Sequence, residues 1–150
     1  MAKLLIVHHT PSPATAELLD AVIRGATDPD IEGVEVIRRA ALAANASDVL
    51  EADGYLLGTP ANIGYMSGAL KHFFDTVYYP VLDDTRGRPY GLWVHGNLDA
   101  AGAIRAVESI ADGLGWIKAT KPVVVTGAPT KDDLAACLEL GGTLAAGLMS

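Results

Sequence analysis

Short apolar runs alternate with amphipathic stretches along the whole chain. Leu4 to Val7 is continuous and β-branched enough to read as a strand buried on both faces. Ala16 to Gly25 places Leu18, Leu19, Val22 and Ile23 at helical spacing, and the two prolines just before it fit a helix start. Val34 to Ile37 alternates in part and reads as a second strand nearer an edge. The alanine-rich stretch from Ala40 to Val49 predicts a short helix. A third strand, Gly54 to Gly58, ends at Thr59-Pro60. Ser67 to Val77 carries Leu70, Phe73, Phe74 and Val77 on one helical face, and Asp83 to Arg88 is a charged turn. Tyr90 to His95 is a fourth strand closed by Gly96-Asn97, and Ala100 to Leu114 is a helix striped by Ile104, Val107, Ile110 and Leu114. Pro122 to Thr126 is a fifth strand, and Asp132 to Leu148 a last helix with a break expected at Gly141-Gly142.

Five short strands alternating with five helical patterns call for helices on both faces of a sheet, with right-handed crossovers. The expected architecture is an open α/β sandwich. There is no internal repeat and no linker composition to divide the 150 residues, so residues 1–150 read as a single domain. Half of the residues are apolar and 19% are charged, which excludes a disordered chain. Acidic residues outnumber basic ones by 18 to 11, for a net charge of −7. A general nucleic-acid partner is therefore not expected. The single cysteine, Cys137, offers neither a disulfide nor a thiolate metal cluster. The apolar start is too short for a signal peptide, and no 18-residue apolar window occurs. The expectation is a cytoplasmic protein with no membrane partner.

In such a sheet, ligands bind beyond the carboxyl ends of the strands, where strand order reverses. Residues 9–15, 59–65 and 95–102 converge there, and all three are rich in small, polar and turn residues. Thr10, Ser12 and Thr15 put three hydroxyls beside a helix N-terminus, where unpaired N–H groups and the helix dipole favour a phosphate. The plain alternative is a turn whose Ser or Thr caps the helix. Other devices are missing: no GxGxxG follows the first strand, and neither GxxxxGK[ST] nor GxSxG occurs. Asp53 lies at the start of the third strand rather than its end, against a phosphorylation-receiver reading.

Thr10-Pro11-Ser12-Pro13-Ala14-Thr15 resembles the (T/S)xTGxT phosphate loop of flavodoxins. Thr59 to Gly68, running on through Leu70-Lys71-His72-Phe73-Phe74-Asp75, resembles the flavin loop and helix of flavodoxin-like NAD(P)H:quinone and FMN reductases. His95-Gly96-Asn97 is similar, less closely, to their third flavin loop. The resemblance implies a flavodoxin-like three-layer sandwich, with a five-stranded parallel sheet in the order 2-1-3-4-5. It also implies FMN as the cofactor. His9, Thr10, Ser12, Ala14 and Thr15 would surround the phosphate; Pro60, Ala61, Asn62, Ile63 and Gly64 would line the ribityl chain and one ring edge; His95, Gly96 and Asn97 would line the other side. Glycine suits such a site because it lets backbone come close.

Pro11 and Pro13 depart from the pattern, since neither has an N–H and Pro13 stands where the flavodoxin loop has glycine. The function implied is passage of electrons from NAD(P)H to a quinone or other small acceptor; the alternatives are an electron carrier serving a redox protein, or a flavin-free domain on the same scaffold. No catalytic side chain is called for, because the flavin carries the chemistry, and no metal, because His8 and His9 would point to opposite faces of a strand. Trp93 and Cys137 read as core. The aromatic content of the Ser67–Val77 helix, with Tyr78-Tyr79 beyond it, leads to the expectation of a homodimer in contact there or along residues 78–82.

Overall fold

The computed structural model of the protein describes residues 1–150. The elements are β1 (Ala2–His8), α1 (Pro13–Ala26), β2 (Val34–Ala40), α2 (Ala46–Glu51), β3 (Gly54–Asn62), β4 (Tyr65–Met66), α3 (Gly68–Val81), β5 (Pro89–Gly96), α4 (Ala101–Leu114), β6 (Ile117–Lys118), β7 (Val123–Thr126) and α5 (Lys131–Ala146). The main sheet runs β2-β1-β3-β5, and β5 then pairs in parallel with both β6 and β7. The expected order 2-1-3-4-5 is therefore present, with the fifth strand in two pieces. The first piece leaves no mark in the sequence, because Ile117 and Lys118 are exposed and carry no apolar run.

One layer, α1 and α5, covers Leu4, Ile6, Leu56, Trp93 and Val125. The other, α2, α3 and α4, covers Leu5, Val7, Tyr55, Leu57, Leu92 and Val94. Successive strand residues thus go to opposite faces and both are apolar, which is why the strands read as unbroken runs.

Two expectations fail for tertiary reasons. The stretch after Ile37 does not turn helical. β2 continues to Ala40 because the β1 ladder continues, with His8 opposite Ala40, and the helix starts only after Asn45, whose side chain accepts from the Asp48 N–H at 3.0 Å. Gly141-Gly142 does not break α5. A Cβ at Gly141 would stand 2.0 Å from the Val22 carbonyl oxygen, and one at Gly25 would stand 1.9 Å from that of Leu138. These glycines let α1 and α5 touch backbone to backbone. At the end of the sheet away from the carboxyl edges, the charged turn turns inward. Arg88 donates to the carbonyls of Val49, Leu50 and Ala52, capping the short helix α2 from across the fold.

Candidate functional site

The first loop leaves β1 with the His9 N–H donating to the Gly58 carbonyl at 3.1 Å, one residue past the strand. Ser12 is the N-cap of α1. Its Oγ accepts from the Thr15 N–H at 3.2 Å, while Thr15 Oγ1 accepts from the Ser12 N–H and donates to the Ser12 carbonyl, both at 3.0 Å. This is a capping box in which threonine takes the place usually held by Glu or Gln. Pro13 is tolerated because it is the first helical residue, where an N–H has no intrahelical partner to lose.

Of the three hydroxyls expected at this turn, that of Thr15 is buried and spent on Ser12. The Thr10 hydroxyl is hydrogen-bonded to His8 Nδ1. The Ala14 N–H, in the first turn of α1, has no partner in the protein. The Ala14 N–H is therefore the donor left free for an anion, with the Thr10 and Ser12 hydroxyls beside it. His8 is half-buried, and its pKa is held below the ordinary histidine value by burial first, then by the Arg38 and His9 charges. His9 Nδ1 is buried without any hydrogen-bond partner in the chain.

In the second loop, Thr59 is buried and its Oγ1 accepts from the Ser67 N–H at 3.0 Å while donating to the Pro60 carbonyl at 2.8 Å. One hydroxyl thus pins both ends of residues 60–66. Between them β3 and β4 form a hairpin, Ala61 opposite Met66 and Asn62 opposite Tyr65. Its two turn residues, Ile63 and Gly64, have φ of 50° and 75°, as a twisted two-residue hairpin requires. The sequence hides this turn because a β-branched residue at positive φ is an outlier. Such strain gathers at ligand-binding sites.

The third loop begins at His95, opposite Pro60 on one side and Val125 on the other. His95 Nε2 donates to the Gly127 carbonyl at 2.8 Å, tying this loop to the end of β7. Asp99 accepts from the Ala101 N–H at 2.8 Å and sets the start of α4. A cleft of about 220 Å³ separates the two loops, with Ala61, Ile63 and Gly64 on one wall and Gly96 to Asp99 on the other. Asn62 is exposed on the hairpin, whereas Pro60 is buried in β3 and His95 is half-buried in β5, behind the cleft.

Four residues of these segments take roles that the sequence pattern leaves unstated. Thr59 and Ser67 are joined by a hydrogen bond that no spacing announces. Gly102 abuts the hairpin: a Cβ there would lie 1.9 Å from the Gly64 carbonyl oxygen. Leu98, 88% exposed, stands beside the cleft across from the fully exposed Ile63.

The residues fit a phosphorylated flat ligand. A helix N-terminus with an orphan N–H faces the same strand edge as a narrow cleft walled by glycine-bearing backbone. Comparison with known proteins points the same way. The sequence model of the NADPH-dependent FMN reductase family matches residues 9–129. A flavodoxin of Aquifex aeolicus is 38% identical over 77 residues, 51% of this chain and 40% of that protein, so the match spans less than half of the relative's length. Among solved structures, a flavodoxin from Streptococcus pneumoniae TIGR4 superposes with a TM-score of 0.82 at 23% identity, over 97% of this chain and 99% of that one. A WrbA-like flavodoxin from Agrobacterium tumefaciens superposes with a TM-score of 0.76 at 16% identity, over 97% and 96%. With the family model covering all three loops, the chain belongs to the NADPH-dependent FMN reductase family, built on a flavodoxin-like fold with FMN as its cofactor.

Proposed function

We propose that the chain is an oxidoreductase that takes electrons from NAD(P)H and passes them to a quinone or another small acceptor. The observation that carries this reading is the convergence of three loops on one strand edge: the Thr10–Thr15 turn with its free Ala14 N–H, and the two walls of the cleft between Ala61 and Asp99. FMN, when bound, supplies the redox chemistry. The chain's part is to hold and orient it. Thr10, Ser12 and Ala14 would take the phosphate through neutral donors, with His9 Nδ1 as a further polar contact. Ala61 to Gly64, with Gly96 and Asn97, would hold the ring and its side chain through backbone groups. The test is a titration followed by turnover. FMN should bind at least tenfold tighter than riboflavin, because a hydrogen-bonded charged group contributes about 1.5–3 kcal/mol. Without dioxygen, the loaded protein should then oxidise more than one equivalent of NADPH only when a quinone or ferricyanide is present to take the electrons. Equal affinity for the two flavins would remove the turn from the site, and absence of NADPH oxidation would sink the reductase reading.

A second reading, an electron carrier, is favoured by one feature. Ile63 and Leu98 make an exposed apolar rim at the cleft, which suits docking of a redox protein. NADPH oxidation decides between the two. We also propose a homodimer. Phe73, Phe74 and Val77 are buried in the core, so the support on α3 and the 78–82 segment comes down to Tyr79, which is 79% exposed. Sedimentation over a wide concentration range tests it, and a persistent 15.6 kDa species would exclude it.

A further inference from the structure

Thr10 is the least committed hydroxyl of the anion-binding turn, since Ser12 and Thr15 are closed on each other. Its one protein partner is His8 Nδ1. That bond can run in two directions. If Thr10 donates to Nδ1, it presents only lone pairs to an incoming phosphate. If Nδ1 carries the proton and donates, the Thr10 hydroxyl hydrogen is released toward the anion. With no N–H at Pro11 or Pro13, the turn has few other donors to offer.

We propose that His8 is a positioning residue for FMN: its Nδ1–H donates to the Thr10 hydroxyl oxygen, so that Thr10 turns its own hydroxyl hydrogen to the phosphate. The proposal rests on the FMN reading and concerns how this chain makes up for its missing backbone donors.

The surroundings of His8 suit the role. Ile6 and His8 share a face of β1, and Arg38 is opposite Ile6 on β2, which places its positive charge diagonally beside the ring. On the β3 side the neighbour is Gly58, which carries no charge. The first turn of α1 holds no acidic residue, and His9 is the other titratable neighbour. No carboxylate thus holds His8 permanently charged. Burial first, then the Arg38 and His9 charges, favour the neutral ring, whose tautomer is open to selection by a ligand. A phosphate dianion would select the Nδ1–H form and favour the doubly protonated ring.

Two measurements test this on the full chain. The first is the ring-nitrogen NMR spectrum of His8, identified by its loss in His8→Asn, recorded free, with riboflavin and with FMN. FMN should move Nδ1 to the protonated side, and riboflavin should not. The second is affinity. His8→Phe should weaken FMN binding about tenfold or more, as expected for a hydrogen bond to a charged group, and leave riboflavin binding unchanged. His8→Asn, whose amide can donate near the Nδ1 position, should recover most of the loss and also guards against misfolding of the Phe variant. The same Nδ1 signal with both flavins, or unchanged FMN affinity in both variants, overturns the proposal while leaving the FMN reading in place. Failure of the wild-type chain to bind FMN overturns both.

Discussion

Gly102 on α4 lies against the carbonyl of Gly64 in the hairpin turn so closely that a Cβ at 102 would stand 1.9 Å from that oxygen. The contact seats the hairpin turn on α4, the helix that follows the other wall of the cleft, and it reverses an ordinary rule. Inside a helix, Gly to Ala stabilises by about 1 kcal/mol. Gly102→Ala should instead destabilise the cofactor-free protein by about 1–3 kcal/mol, as overpacking does, and should weaken FMN binding by moving the turn. Thermal melting and FMN titration check both parts; a rise in Tm would show that the hairpin yields freely.

Gly64 is a glycine for a different reason. Its φ is +75°, and a Cβ there would meet nothing within 4 Å. The demand is on backbone conformation, not on space. Gly64→Val should cost about 1–2 kcal/mol and reduce FMN affinity, whereas Gly64→Asn, which tolerates the left-handed region, should stay close to wild type. Equal effects of the two substitutions would point to steric exclusion instead.

Gly58 makes room for Trp93. A Cβ at 58 would lie 2.0 Å from the indole Cζ2. Gly58→Ala should destabilise by at least about 1–3 kcal/mol, and Trp93→Leu should relieve part of that cost. Denaturant unfolding of both single variants and the double variant checks it, and simple additivity would count against the contact.

His8 also links stability to pH. Its folded pKa lies below the ordinary 6.5, so as pH falls the unfolded chain takes up the proton first. Its contribution is full above about pH 6.5 and is lost progressively as pH falls through the lowered folded value. The cofactor-free wild type should lose stability in this acid window more steeply than His8→Asn. Identical slopes for the two proteins would remove His8 from the effect.

Cys137 is fully buried, and burial first, then the Asp133 charge, pushes its thiol up to about 11. The native protein should resist a thiol reagent at about pH 7.5 and react once unfolded. Rapid labelling of the folded chain would contradict the packing around α5.

Much of this architecture is legible in the sequence, because strands buried on both faces leave unbroken apolar runs. Leu4 to Val7 marks β1 in this way, and Tyr55-Leu56-Leu57 marks β3. What escapes is decided by contacts between distant residues. The alanine-rich stretch 40–44 favours helix locally, yet the β1 ladder claims Ala40. The pair Gly141-Gly142 looks like a helix breaker until Val22 is seen against it. The hydroxyls of the first loop are visible as a group, but not that Ser12 and Thr15 satisfy each other and leave Thr10 to His8. The hairpin escapes because Ile63 occupies a conformation its side chain opposes, held there by pairing on both sides of the turn.

The Ser12–Thr15 capping box has a thermodynamic consequence. Because the Ser12 and Thr15 N–H groups are satisfied from within the turn, the loop should keep its shape without the cofactor. Apoprotein and holoprotein should then share one scaffold, with occupancy following the supply of free flavin. Saturation adds RT ln(1 + [FMN]/Kd) to stability, about 2.7 kcal/mol at a hundredfold excess over Kd. The same chain would thus report flavin availability through its own resistance to heat.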